Sequence, residues 1–268
     1  MQNHPHQPWG QGPQQHGYPQ QQYGQGAWGG WGGGVQSYGE TGAERLAFLK
    51  KVYGLFGASV LLSAIGAMIA LYAGGTVVEG GMRIPTIVAM VSDIPWILRL
   101  VLFFGVVFGA SAVRRVQGLN VIALFGMAFV LGILFAPSLF VAQLFASTGS
   151  TISASPIRDA FLLATLMFGG LTGYVAVSKK DFSYLGSALT MGFFVILGCS
   201  ILNIFLGSNV LGLAIASVGL LLFGGYVLYD TSRILRSQDR DAVGGALQLY
   251  MDFLNIFLFL LRILGSRR

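Results

Sequence analysis

The chain alternates between long apolar runs and short polar ones. A helix that crosses a bilayer needs about 20 mainly apolar residues. Seven runs qualify: 52–73, 95–113, 119–145, 160–177, 184–206, 210–229 and 246–264. None alternates in polarity, and each is about twice the length of a barrel strand, so a β-barrel is excluded. Backbone polar groups in lipid are satisfied only within the segment, which makes each run a helix. The expected fold class is all-α, a polytopic membrane helix bundle of about seven transmembrane helices spanning 43–268. Pro137 is expected to bend the third helix. Gly207, Ser208 and Asn209 are expected to form a tight turn between the fifth and sixth. Gly105-xxx-Gly109 and Gly169-xxx-Gly173 have the spacing of close helix packing, here expected within one chain.

Charge adds an orientation. Arg45, Lys50 and Lys51 precede the first run, Arg114 and Arg115 follow the second, and Lys179 and Lys180 follow the fourth. Arg233, Arg236 and Arg240 follow the sixth. With seven spans these four groups share one side, so the positive-inside rule places the N-terminus in the cytoplasm and the C-terminus outside. Arg267 and Arg268 oppose that assignment, and a re-entrant seventh segment is the alternative. The net charge of +6 is thus read as topology-setting, with no nucleic-acid partner.

Composition agrees. Of 268 residues, 54% are hydrophobic and 10% charged, where soluble domains carry about 25% charged residues; mean hydropathy is +0.69. Residues 1–42 are the exception, rich in Gln, Gly, Pro, Tyr and Trp and without Leu or Ile. Such a segment buries too little surface to offset its ordering entropy, so it is expected to be a disordered cytoplasmic tail. Cys199 is the sole cysteine, which excludes an intrachain disulfide and a CxxC site. The three histidines, His4, His6 and His16, all lie in the tail. Ser–His hydrolysis and a His-ligated metal site within the membrane are thereby excluded.

Two acids stand within apolar surroundings, and an ionisable residue inside a span is a functional hypothesis by default. Asp230 closes the sixth run in GGYVLYDTSRILR, and Asp252 lies in the seventh in ALQLYMDFLNIFLFLLRILG. Both are equally far from Asp241, the centre of the intervening polar hairpin. In an antiparallel helix pair they reach similar depth near the cytoplasmic face and can meet. A buried carboxylate pair does not easily ionise twice. Arg114, Arg115 and Arg233 are the cations available at that level. The structural alternative is that Asp230 caps the hairpin beside Arg233 while Asp252 braces the bundle through Asn255 or a tyrosine.

These segments, with FLKKVYGLFG entering the first span and FGGLTGYVAVSKKDFSYLGS across the fourth and fifth, resemble the Bax inhibitor-1 family. The resemblance covers about residues 44–265, and the last forty are its most specific part. It implies a pH-sensitive calcium leak of an intracellular or bacterial inner membrane. The implied sensor is Asp230 and Asp252, with Arg114 as the basic residue that exchanges partners with them and Arg115 as the fallback. Some members carry an acid within span two or three, where this chain has Phe103, Val130 and Leu131.

The expected function is therefore a pH-sensitive calcium-leak channel gated by an aspartate pair. Its partners are the bilayer, Ca²⁺ and H⁺. No cofactor is expected beyond weak, transient Ca²⁺ at the two carboxylates, which supply only part of a calcium shell. The alternative is a regulator that binds a membrane protein, such as a membrane-anchored protease or the stress and cell-death machinery. No enzymatic activity is expected. Tyr229-Asp230 resembles the Tyr-Asp pair of intramembrane aspartyl proteases, but Met251-Asp252 stands where that class has Gly-x-Gly-Asp.

Overall fold

A computed structural model describes residues 42–147, 149, 153–236 and 240–266. The tail assigned to 1–42 lies outside the described residues except for Gly42, which opens the first helix. The elements are α1 (Gly42–Tyr72), β1 (Thr76–Glu79), β2 (Met82–Pro85), α2 (Thr86–Asp93), α3 (Trp96–Ala112) and α4 (Leu119–Ser147). They continue with α5 (Pro156–Ser178), the 3₁₀ turn Ser183–Leu185, α6 (Gly186–Leu206), α7 (Asn209–Arg236) and α8 (Ala242–Leu264). The protein is an all-α membrane bundle.

Six helices are long and apolar enough to cross a bilayer, and seven if the bent pair α2–α3 is one span. α2 meets α3 at 101° across a break ending in Pro95, whose fixed φ and missing N–H suit it to start α3 rather than extend α2. α8 is unbroken over 23 residues, about 34 Å, which is enough for a full crossing rather than a re-entrant loop. α4 is likewise continuous through Pro137.

Polar contacts define two ends. At one, an Arg45 guanidinium N–H donates to the Leu235 carbonyl, Arg240 Nη2 lies 3.4 Å from Glu44 Oε2, and Arg236 Nη2 donates to the Lys179 carbonyl. Arg114 joins the same end through Asp241. The four basic groups read from the sequence therefore gather at this basic end. At the other end, Gln143 Nε2 reaches the Tyr72 hydroxyl at 3.4 Å, and β1 pairs antiparallel with β2. That hairpin, built on the β-branched Val77, Val78 and Ile84, was not anticipated from the apolar runs. The turn at 207–209 is present: Gly207 has φ +61° and its N–H donates to the Asn203 carbonyl at 2.8 Å.

α8 is the centre. Half of its apolar window is buried, the largest share of any span, and it packs against α1, α4, α5 and α7. Phe56, Phe168 and Phe253 lock α1, α5 and α8 together with ring centroids 4.8–5.8 Å apart. The α1–α4 contact is closer still. A Cβ at Gly66 would strike the Phe129 carbonyl, and one at Gly132 the Ser63 carbonyl. The small-xxx-small pairs picked from the sequence have no such role. Nothing lies within 4 Å of a Cβ placed at Gly105, Gly109, Gly169 or Gly173. Spacing marks a face that permits close approach, and the chain puts its close approaches elsewhere.

Gly132→Ala is therefore expected to lower unfolding stability in detergent by about 1–3 kcal/mol, because backbone rather than a side-chain tip must move. Gly105→Ala should stay within about 0.5 kcal/mol of the parent. Equal thermal midpoints for the two variants would contradict this packing.

Candidate functional site

The site begins with the buried faces of α7 and α8. On α7, Phe223, Val227, Asp230 and Ile234 recur at helical spacing and are all buried. On α8, Leu249, Asp252, Ile256 and Leu260 do the same. Each aspartate thus occupies a core position in an otherwise apolar stripe. Asp230 is 6% exposed and Asp252 4%. Asp230 stands six residues before the end of α7 and Asp252 ten residues into α8, about 9 Å and 15 Å from the basic end.

The antiparallel hairpin places the two buried carboxyl groups within electrostatic reach of each other. Asp252 Oδ2 is buried and has no hydrogen-bond partner among the described residues. Ionised carboxylates only accept, so a hydrogen bond between them needs one proton on the pair. Tyr226, one turn before Asp230, lies within electrostatic reach of both carboxyls. Next to Asp230, Thr231 and Ser232 are fully buried, and the Ser232 hydroxyl accepts the Phe182 N–H at 3.1 Å. This bond ties the α5–α6 connection to the helix that carries the pair.

The expected cations are placed differently. Arg114 does not bridge the aspartates: its Nε lies 3.6 Å from Asp241 Oδ2. Asp241 caps α8, accepting the Gly244 N–H at 2.8 Å, and its free oxygen faces the end of α3 where Arg114 emerges. Arg114 is thus captured by the first acid it meets at the surface. Arg115 is exposed in the turn after α3. Arg233 is exposed one turn beyond Asp230 and attracts its charge through space. Asn255 does not brace the pair by its amide N–H, which donates back to the Met251 carbonyl at 2.8 Å. Among the described residues no group of three His, Cys, Asp or Glu side chains could hold a metal ion. The sequence reading passed over Tyr226, Ser232 and Arg262. Arg262 carried a legible signal, as a second ionisable residue within the apolar run of α8.

A helical membrane bundle with a buried carboxylate pair on its last two helices defines the class. Residues 45–268 match the family model described as "Inhibitor of apoptosis-promoting Bax1". The chain belongs to this Bax inhibitor family. It is 36% identical to an uncharacterized protein of Campylobacter jejuni over 84% of this chain and 90% of that one. It is 33% identical to protein lifeguard 4 of Mus musculus, over 83% of this chain and 86% of the relative. A Golgi anti-apoptotic protein of vaccinia virus is 29% identical over 82% and 85% of the two chains.

Two expectations concern the basic end. Asp241→Ala should cost about 1 kcal/mol through loss of the α8 cap, measured by unfolding in detergent, whereas Arg114→Ala, losing a half-exposed pair, should cost less. A larger effect at Arg114 would overturn the assignment.

Asp181, outside the spans, accepts the Ser183 hydroxyl and N–H and lies 3.9 Å from Arg236 Nε. The Ser183 hydroxyl, then its N–H, then Arg236 hold this carboxyl below the ordinary aspartate range, outweighing partial desolvation. Its stabilising effect is therefore complete above about pH 4 and is lost as pH falls through the depressed value. Asp181→Asn should make the acid-side decline in thermal midpoint shallower, and an unchanged acid limb would count against this clamp.

Proposed function

We propose that the protein is a proton-regulated ion leak, with Ca²⁺ as the permeating cation and the Asp230–Asp252 pair as its gate. The observation that carries this reading is the pair of buried aspartates on the facing stripes of α7 and α8, with Asp252 Oδ2 left without a hydrogen-bond partner. With Arg114 held by Asp241, a proton shared by the two carboxyls is, in this reading, the polar link between the two helices at this level.

Removing that proton places two negative charges side by side in a medium that screens them poorly. The helices then separate, and the freed carboxylates offer oxygen ligands to a passing divalent cation. Two carboxylates supply only part of the six to eight oxygens Ca²⁺ prefers, which suits passage rather than retention. This reverses the sign expected from an arginine bridge: leak rises as pH rises. The N-terminus is assigned to the cytoplasm of a bacterial inner membrane, because the basic end carries the Lys and Arg excess.

The test is Ca²⁺ flux into proteoliposomes at about pH 6 and about pH 8, where a shared carboxyl proton is titrated. The parent should leak several-fold faster at the higher pH. Asp252→Asn and Asp230→Asn keep a donor between the helices without the second charge, so both should stay slow with a flattened response. Unchanged flux and pH response in both variants would remove the pair as gate. The names of the lifeguard and Golgi anti-apoptotic relatives would then favour the second reading, a membrane protein that acts by binding a partner.

A further inference from the structure

The hairpin end, remote from the carboxyl pair, holds a cavity of about 880 Å³ between α3, α4, α7 and α8. Two guanidinium groups line it: Arg99 from the first turn of α3 and Arg262 from the last turn of α8. Arg99 Nε is buried and makes no hydrogen bond. Among the described residues neither arginine has a carboxylate within 4.0 Å. The nearby acid Asp159 is already engaged by Arg158 at 2.9 Å and by the Ser153 hydroxyl.

Arg262 is seated by the fold. Its guanidinium occupies the space that a Cβ at Gly212 of α7 would fill, and the carbonyl end of α8 favours a cation there. Asn209 and Ser138 add uncharged polar groups to the same wall, while Phe135, Leu258 and Phe259 make its apolar side. Arg99 is partly buried with its Nε unpartnered and Arg262 is exposed to the same cavity, so the two cations together offer an anion a site that neither fills from within the protein. Several acceptor oxygens are needed to satisfy two forked donors together, which a phosphate provides.

We infer that Arg99 and Arg262 form a phosphate-binding site at the hairpin end of the bundle. The phosphate of an anionic lipid headgroup and free inorganic phosphate share this chemistry, and the apolar wall fits the lipid.

The test measures binding of dihexanoyl phosphatidylglycerol and of inorganic phosphate, separately, to the purified full chain in a neutral detergent. Arg99→Gln and Arg262→Gln should each weaken binding about tenfold. Gly212→Leu should do the same by displacing Arg262 while leaving the net charge intact. Arg158→Gln, which removes a cation held by Asp159, should change nothing. Dependence on both arginines for the lipid alone identifies a headgroup site, and for inorganic phosphate alone or for both probes a free-anion site. If neither probe responds to the two arginine variants, or if Arg158→Gln weakens binding equally, the site does not exist.

Discussion

Hydrocarbon offers a carboxyl group no hydrogen-bond partner, so an acid carried into a membrane bundle is stable only against another group of the protein. Asp252 is that acid here. It sits on the buried stripe of α8, and Asp230 stands on the buried stripe of the neighbouring α7. No cation is paired with either acid among the described residues, since Arg114 goes to Asp241 instead. The tight interlocking of α8 with α1, α4, α5 and α7 is what holds the pair in register. The ring cluster of Phe56, Phe168 and Phe253 begins one residue further along α8. Rigid apolar packing thus lies directly beside the buried Asp252.

The two ends of the bundle solve the problem of charge in different ways. At the basic end, cations meet acids or backbone carbonyls: Arg114 with Asp241, Arg240 with Glu44, and Arg236 with Asp181 and the Lys179 carbonyl. These contacts are partly exposed and individually weak, but they close the helix ends that frame the carboxyl pair. At the hairpin end, Arg158 has its acid, whereas Arg99 and Arg262 face a cavity. The two ends therefore differ: some cations of the basic end pair with its acids, whereas Arg99 and Arg262 at the other line a cavity.

Close packing follows the same division of labour. α1 and α4 approach through Gly66 and Gly132 so tightly that a methyl group would meet backbone. α7 uses glycine for side chains instead, admitting Arg262 at Gly212 and the Phe259 ring at Gly219. The glycines of α3 and α5 with the most regular spacing have open space before them. A missing Cβ permits an approach, but which helix makes it depends on the order of helices around α8.

The sequence by itself determined the bundle, its helices to within a few residues at most ends, the clustering of basic groups at one end, and two acids at matching positions on one hairpin. These follow from local rules: apolar length sets a span, and eleven residues either side of Asp241 set equal depth. Tertiary structure decided what lies across a gap between helices. It turned Arg114 to Asp241 instead of the aspartate pair, left the Gly105 and Gly169 motifs uncontacted, folded 76–85 into a hairpin, and gathered Arg99 and Arg262 from opposite ends of the chain's apolar region around one cavity. Periodicity gives the face on which a residue stands, whereas its partner is fixed by the rotation and neighbours of helices far away in the chain.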